Sequence, residues 1–187
     1  MIIRRLILHN FGVYAGDNQF IFEKNKPIVL IGGMNGRGKT TFLEAVLVAL
    51  YGANSFAFIE SKYKSYPQYL RSFVNKSAAD QKCSVELEFE VFDGTTEQYL
   101  VKREWRSITK KTEETISVYK DGSFNEFLTN NWPLFIENIL PSALSSFFFF
   151  DGEKIAEMAV DNTNNQLKNA IRAMLGITVL DILGNDV

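Results

Sequence analysis

The chain has 187 residues, of which 46% are hydrophobic and 22% charged, and its net charge at pH 7 is −2. This length suffices for one domain with a sizeable core, and the near-neutral charge argues against the global basic field of many DNA-binding domains. No apolar run approaches the ~18–20 residues of a membrane span, and no secretory signal is visible. The lone Cys83 fits a reducing cytoplasm, so we expect a cytoplasmic globular domain with no membrane partner.

The first predicted elements in chain order are two strands, at residues 2–9 and 19–23, with turn-forming residues at 10–12 and 15–18 between them. Pro27 then opens the purely apolar run 28–31. Its β-branched residues and the bounding proline and glycine predict a strand buried on both faces. After a glycine-rich stretch, the nearly continuous apolar residues of 40–51 predict a helix that is buried almost all round and ends at Gly52.

The middle of the chain is predicted to be a β-meander. Residues 53–80 are polar and aromatic and indicate a loop with a short helix. Apolar residues alternate with glutamates over 83–92, which predicts a half-exposed antiparallel strand. Turns at Asp93-Gly94 and Asp121-Gly122 frame further strands at 99–106 and 116–120.

The last part of the chain is predicted to be mainly helical. Apolar spacing after Pro133 indicates a helix that Pro141 ends. The apolar run 147–150 is predicted to be a strand. A second helix is predicted at 166–175, and the final residues are typical of the start of another helix.

The strongest motif is Gly-Met-Asn-Gly-Arg-Gly-Lys-Thr at residues 33–40, which fits the pattern G-x-x-x-x-G-K-[ST]. Glycines let a backbone fold tightly around phosphates, and the following helix presents its positive end to the same anion. Lys39 is placed to reach the β- and γ-phosphates of ATP, and the Thr40 hydroxyl is placed to ligate Mg²⁺. The predicted cofactor-binding residues are Gly33, Asn35, Gly36, Arg37, Gly38, Lys39, Thr40 and Thr41.

Three sequence segments resemble SMC-like and RecF-like ATPases. Residues 8–14, Leu-His-Asn-Phe-Gly-Val-Tyr, resemble the L-x-N-F-x-x-Y opening of those proteins, and residues 33–41 resemble their G-x-N-G-x-G-K-T-T loop. The sequence Ala-Leu-Tyr-Gly at 49–52 is also typical of them. The resemblance implies an α/β P-loop fold of ABC/SMC-head type, with a mixed β core and an antiparallel β-subdomain, incomplete without its C-terminal half.

The same resemblance implies a division of the chain, which would be the N-terminal lobe of the head. Residues 1–52 would form the P-loop core, 81–120 the β-meander, and 132–187 a helical lobe leading toward a coiled coil. The signature motif, the Walker B aspartate and the water-activating glutamate would lie in the C-terminal half. No run of four apolar residues followed by Asp-Glu occurs in the sequence, so no catalytic residue is assigned and the half is expected to be inactive alone.

Residues 147–155, Phe-Phe-Phe-Phe-Asp-Gly-Glu-Lys-Ile, resemble the F-F-F-D-G-E-K-I sequence of the DndD-type ATPases of bacterial DNA phosphorothioation. Most SMC-like heads have the Q-loop glutamine where this chain has Asp151. A carboxylate is a good ligand for Mg²⁺, so the resemblance implies that Asp151 assists Thr40 at the metal. The alternative is that Asp151 only caps the next helix.

The resemblance to DndD-type ATPases implies a set of partners and leaves two other functions open. The partners would be the C-terminal half of the same head, a second head, other DNA-sulfur-modification proteins, and DNA as an open alternative. A DNA-repair ATPase of SMC-like or RecF-like type is the second function. A nucleotide-gated scaffold module with negligible turnover is the third.

Two groups of charged residues allow either a structural or a functional interpretation. A basic cluster around Trp105 is interpreted first as a solvated hairpin and second as a contact to the DNA backbone. Arg71 is either a counterpart of the arginine that SMC-like heads keep near the nucleotide or a member of a surface salt bridge. Glu113-Glu114 is expected on a solvated hairpin face. The basic cluster consists of Lys102, Arg103, Arg106, Lys110 and Lys111.

Overall fold

A computed structural model of the chain describes residues 1–26, 28–32, 34, 36–108 and 111–149. Six strands form one antiparallel sheet in the order β2-β1-β3-β4-β5-β6. The strands are β1 (Ile2–Phe11), β2 (Tyr14–Ile21), β3 (Lys82–Asp93), β4 (Thr95–Ile108), β5 (Lys111–Lys120) and β6 (Ser123–Phe124). The α-helices are α1 (Lys39–Tyr51), α2 (Phe56–Ile59), α3 (Tyr66–Ser72), α4 (Glu126–Ile139) and α5 (Ser142–Phe148).

The predicted β-meander is part of a larger sheet. Strand β3 shows the expected alternation, with Cys83, Val85, Leu87 and Phe89 buried on one face. Its other edge pairs with β1, where Leu6 lies opposite Leu87. The N-terminal hairpin and the meander therefore share one apolar face, which the helices cover, and they do not form separate units.

Helix α1 lies on the apolar face of the sheet and contacts β1, β3 and β4. Its second half, Ala45 to Tyr51, is fully buried, as the sequence predicts, whereas Phe42 and Leu43 are only partly buried. Helix α4 packs beside it and buries Trp132 and Ile136. The core is thus concentrated around the C-terminal part of α1.

Helix α4 begins earlier than the sequence indicates. The Asn125 side chain caps it by accepting a hydrogen bond from the Leu128 N–H at 2.9 Å. Pro133 lies inside the helix, and the backbone at Asn131 departs from helical geometry at a kink just before it. The helix ends at Ile139, ahead of Pro141, as predicted. Residues 53–80 contain α2, α3 and a short 3₁₀ turn, so the predicted loop with one short helix is only approximate.

The prediction for residues 28–31 is wrong in the described structure. These residues form no strand, and Ile28 and Leu30 are 75% and 91% exposed. A strand buried on both faces needs partners along its edges and over both faces. All pairings in the described sheet are antiparallel and none includes this segment, so within the described residues the expected parallel component is absent.

Two other predictions are wrong in part. The described portion of the run 147–150 belongs to helix α5 and its C-terminal cap, where the Phe149 N–H donates to the Ser145 carbonyl at 2.8 Å. A short apolar run alone does not distinguish a strand from a buried helix. Residues 15–18 lie within β2, because the hairpin turn consists only of Gly12 and Val13. The predicted helix at 166–175 lies outside the described residues.

Candidate nucleotide-binding site

The glycine-rich loop is described from Gly36 to the start of α1, and the predicted Gly33 and Asn35 lie outside the described residues. Gly36 and Gly38 have φ angles of 75° and 102°, in the left-handed region that glycine adopts without a steric penalty. The Arg37 N–H donates to the Met34 carbonyl at 3.2 Å, which closes a turn ahead of the helix. The glycines of the motif therefore have the backbone role that the sequence predicts for them.

Helix α1 begins directly after Gly38. Its first intrahelical hydrogen bond runs from the Phe42 N–H to the Gly38 carbonyl at 2.8 Å. The N–H groups of the first turn have no partner inside a helix, and they carry the positive end of its dipole. The first turn contains no acidic residue, and Lys39 and Thr40 are both exposed. Their positions and chemistry fit an anionic, Mg²⁺-bound phosphate chain at this end of α1.

The turn between β1 and β2 packs against this loop. The Tyr14 hydroxyl donates to the Gly38 carbonyl at 3.1 Å. A Cβ atom on Gly38 would lie 2.8 Å from both Tyr14 Oη and Val13 Cγ2, so only glycine permits this approach. A Cβ on Gly12 would overlap the methyl group of Thr41, which shows that Thr41 faces the turn.

The β1–β2 turn is itself held by the rest of the fold. Asn10 has a φ of 49°, which asparagine tolerates better than most residues, and its Oδ1 accepts from the Gly16 N–H at 2.8 Å. The Gly12 N–H donates to the Phe73 carbonyl, and Asn75 Nδ2 donates to the Gly12 carbonyl, both at 2.6 Å. The residues of the L-x-N-F-x-x-Y segment thus support the glycine-rich loop.

The other end of α1 is closed by buried side chains. Gly52, with φ of 56°, returns its N–H to the Val48 carbonyl. Arg103 Nε donates to the Ala49 carbonyl at 3.1 Å, and Trp132 Nε1 donates to the Leu50 carbonyl at 2.8 Å. A guanidinium at a helix C-terminus also complements the negative end of the dipole. The last carbonyls of α1 are therefore satisfied by partners far away in the sequence.

The basic cluster does not form one surface. Arg103 is only 6% exposed and pairs with Glu114 at 3.1 Å, so the expectation that both lie on a solvated hairpin is wrong for them. Trp105 is buried too, and its Nε1 donates to the Leu70 carbonyl at 2.9 Å. Lys102 lies on the opposite face of β4 and pairs with Glu86 at 3.1 Å. This distribution gives no support to a contact with a DNA backbone.

Other predicted residues have local partners or lie outside the described residues. Lys111 pairs with Glu113 at 2.8 Å on the exposed part of β5, as expected of a solvated hairpin, whereas Lys110 is not described. Arg71 donates to Thr112 Oγ1 at 3.3 Å, which directs it toward β5. Burial strongly raises the pKa of the Cys83 thiol, consistent with an inert side chain.

The predicted metal pair is only half described, because Asp151 lies outside the described residues while Thr40 stands in the first turn of α1. Within the part of the chain that the structure describes, no three His, Cys, Asp or Glu side chains group in a way that could hold a metal ion. In the same residues, no helix is long and apolar enough to cross a membrane.

Comparison with known proteins adds a family and two relatives. The family model of an AAA domain matches residues 5–180. The SbcC subunit of the nuclease SbcCD from Treponema pallidum (strain Nichols) is 46% identical over 48 residues, which are 26% of this chain and 5% of that protein. Its counterpart of the same name from Vibrio cholerae serotype O1 is 28% identical over 134 residues, 67% of this chain and 12% of that protein. The chain thus corresponds to a small part of either relative.

Proposed function

The chain belongs to the AAA domain family and has the fold of the N-terminal half of an SMC/ABC-type P-loop ATPase head, and from this premise we propose that residues 33–41 bind ATP with Mg²⁺. One observation carries the proposal: Gly38 turns the backbone in a left-handed conformation directly into α1, with Lys39 and Thr40 exposed in the first turn. An anion at such a helix start meets N–H groups, a helix dipole and a cation together.

Each residue of the loop has a proposed role. Gly33, Gly36 and Gly38 would give the backbone its tight path, and Asn35, Arg37 and Thr41 would complete the loop around the phosphates. Lys39 would neutralise the β- and γ-phosphates, and the Thr40 hydroxyl would ligate Mg²⁺. Asp151 would approach the same metal, directly or through a water. When bound, Mg²⁺ would neutralise the charge that develops on the phosphates.

The complete head is proposed to hydrolyse ATP, with a conformational purpose. The C-terminal half would supply the water-activating glutamate, and a second head would supply the signature motif. A closed pair of heads would bind ATP better than ADP, and only such a difference in affinity can drive motion of the coiled coils. The purified chain alone should bind nucleotide but release no phosphate. Robust phosphate release by this chain would contradict the half-head proposal.

The proposed cellular process is DNA phosphorothioation in the cytoplasm, with DNA-sulfur-modification proteins and DNA as partners. Support comes from the resemblance of residues 147–155 to DndD-type ATPases. A DNA-repair role is the alternative, and the relatives, whose names are those of a nuclease component, keep it open. Deleting the gene and measuring phosphorothioate linkages in digested genomic DNA separates the two. Unchanged linkages would contradict the first process, and an inactive full-length protein would favour a nucleotide-gated scaffold.

Replacing Lys39 tests the nucleotide site itself. Lys39→Ala removes a charge-assisted contact worth about 1.5–3 kcal/mol, so the affinity for a fluorescent ATP analogue should fall roughly 10- to 150-fold. Lys26→Ala is a matched control, because Lys26 is exposed and pairs locally with Glu23, at 2.9 Å, before the glycine-rich loop. Lys26→Ala should keep the parental affinity. Equal binding by Lys39→Ala and the parent would show that the loop does not bind ATP.

The same titration, repeated with and without Mg²⁺, tests Asp151. Asp151→Asn keeps the size of the side chain and most of its capping ability but removes the negative charge. If Asp151 contacts the metal, the substitution should weaken Mg²⁺-dependent binding and leave the melting temperature near the parental value. If Asp151 only caps a helix, both quantities should stay parental.

A further inference from the structure

One hydrogen bond joins the β1–β2 hairpin to the start of α1. The Tyr14 hydroxyl donates to the Gly38 carbonyl, with 3.1 Å between the two oxygens. The same carbonyl accepts the first helical hydrogen bond, from the Phe42 N–H at 2.8 Å. Both lone pairs of this oxygen are therefore used, and the peptide unit between Gly38 and Lys39 is held from two directions.

Fixing this carbonyl also fixes an N–H group. In a trans peptide the C=O of one residue and the N–H of the next point in opposite directions within one plane. Because the Gly38 carbonyl points along α1, the Lys39 N–H points out of its N-terminus, where the proposed phosphates would lie. Gly38, with φ of 102°, is free to rotate in ways that other residues are not. A second contact at its carbonyl restricts that freedom.

Aromatic packing places the Tyr14 ring. Its centroid lies 5.7 Å from that of Phe20 in an edge-to-face arrangement, and Phe20 packs in the same way against Phe42, at 5.0 Å. The ring is thus held between β2 and the first turn of α1, independently of its hydroxyl. Burial also raises the pKa of Tyr14, so the hydroxyl remains a proton donor at neutral pH.

We infer that Tyr14 is a positioning residue of the nucleotide site, whose hydroxyl orients the Gly38–Lys39 peptide so that the Lys39 N–H faces the phosphates. This inference rests on the proposed function, because the N–H needs a phosphate to act on. The hydroxyl prepares the site before ligand arrives, which reduces the ordering cost of binding. The structural role of Tyr14, packing against Phe20, belongs to its ring alone.

Tyr14→Phe tests the hydroxyl separately from the ring. We expect it to weaken binding of a fluorescent ATP analogue by about 2- to 12-fold, the value of one ordinary hydrogen bond. Tripolyphosphate, used as a competitor, should lose affinity by a similar factor, because the effect concerns phosphates and not the base. The melting temperature without nucleotide should change little.

Tyr51→Phe is the matched control on the same helix. The Tyr51 hydroxyl also donates to a carbonyl, that of Leu140 at 2.9 Å, but it does so at the opposite end of α1. Tyr51→Phe should keep the parental affinity. Parental affinity in Tyr14→Phe, or the same loss in both variants, would overturn the inference. If Lys39→Ala weakens binding while Tyr14→Phe does not, only this inference fails, whereas parental binding by Lys39→Ala removes the proposed function itself.

Discussion

The two ends of helix α1 are held by different kinds of contact. At the C-terminal end, Arg103 and Trp132 donate directly to the last carbonyls, and the surrounding residues are buried. At the N-terminal end, Lys39 and Thr40 are exposed, and the hairpin turn contacts the glycine-rich loop at Gly38 and Thr41. One end is closed by the protein and the other is shaped for a ligand.

This difference shows how a small domain keeps a binding site without losing stability. The first-turn N–H groups of a helix must find partners, and a ligand can supply them only if the protein does not. The fold therefore concentrates burial at one end of α1 and holds the other with backbone geometry and the Tyr14 hydroxyl. We expect substitutions at the C-terminal end to change stability, and substitutions at the N-terminal end to change nucleotide affinity.

The largest effect is expected for Trp132→Ala. Trp132 is completely buried, and its loss removes both core packing and the hydrogen bond to Leu50, at a cost of about 3–5 kcal/mol. Denaturant unfolding measures this loss, and Trp132→Phe should show a smaller one. Nucleotide affinity, measured where the variant is folded, should remain parental. A weaker affinity of the folded variant would break the separation between the two ends.

Gly52→Ala should have an intermediate effect on stability. A side chain is strained at a φ of 56°, which costs about 1–3 kcal/mol, and its Cβ would also lie 2.8 Å from the Arg103 guanidinium. Gly94→Ala is the control: its φ of 77° imposes similar strain, but no atom lies within 4 Å of the new Cβ. Thermal unfolding should rank Gly52→Ala below Gly94→Ala. Equal melting temperatures would mean that Arg103 moves aside freely.

The smallest effect is expected from alkaline pH. Burial, with a contribution from Glu137, raises the pKa of Tyr51, and burial alone raises that of Tyr14. A raised folded-state pKa gives stability that is present below the unfolded value, about 10, and is lost as the pH rises through the folded value. The unfolding free energy should therefore fall above about pH 10. Tyr51→Phe should flatten this slope more than Tyr14→Phe, and the reverse order would contradict the burial difference.

Much of the local structure could be predicted because it depends on neighbours in the sequence. The alternation in β3, the apolar helix α1 with its glycine end, and the turns at Gly94 and Gly122 all follow from short-range preferences. The nucleotide motif could be predicted for the same reason, because a loop of about eight residues contains most of its own geometry. The Phe run near residue 148 could not, since apolar content alone fits either helix or strand.

The sequence alone therefore determined the kind of site, a phosphate-binding loop before a buried helix, and the pattern of strands around it. Only the tertiary structure decided what holds that site. Arg103 is separated from its acceptor Ala49 by 54 residues, and Tyr14 from Gly38 by 24. The exposure of Leu30 likewise depends on the absence of a neighbouring strand among the described residues. Such contacts follow from how distant segments pack, and no local pattern of residues encodes them.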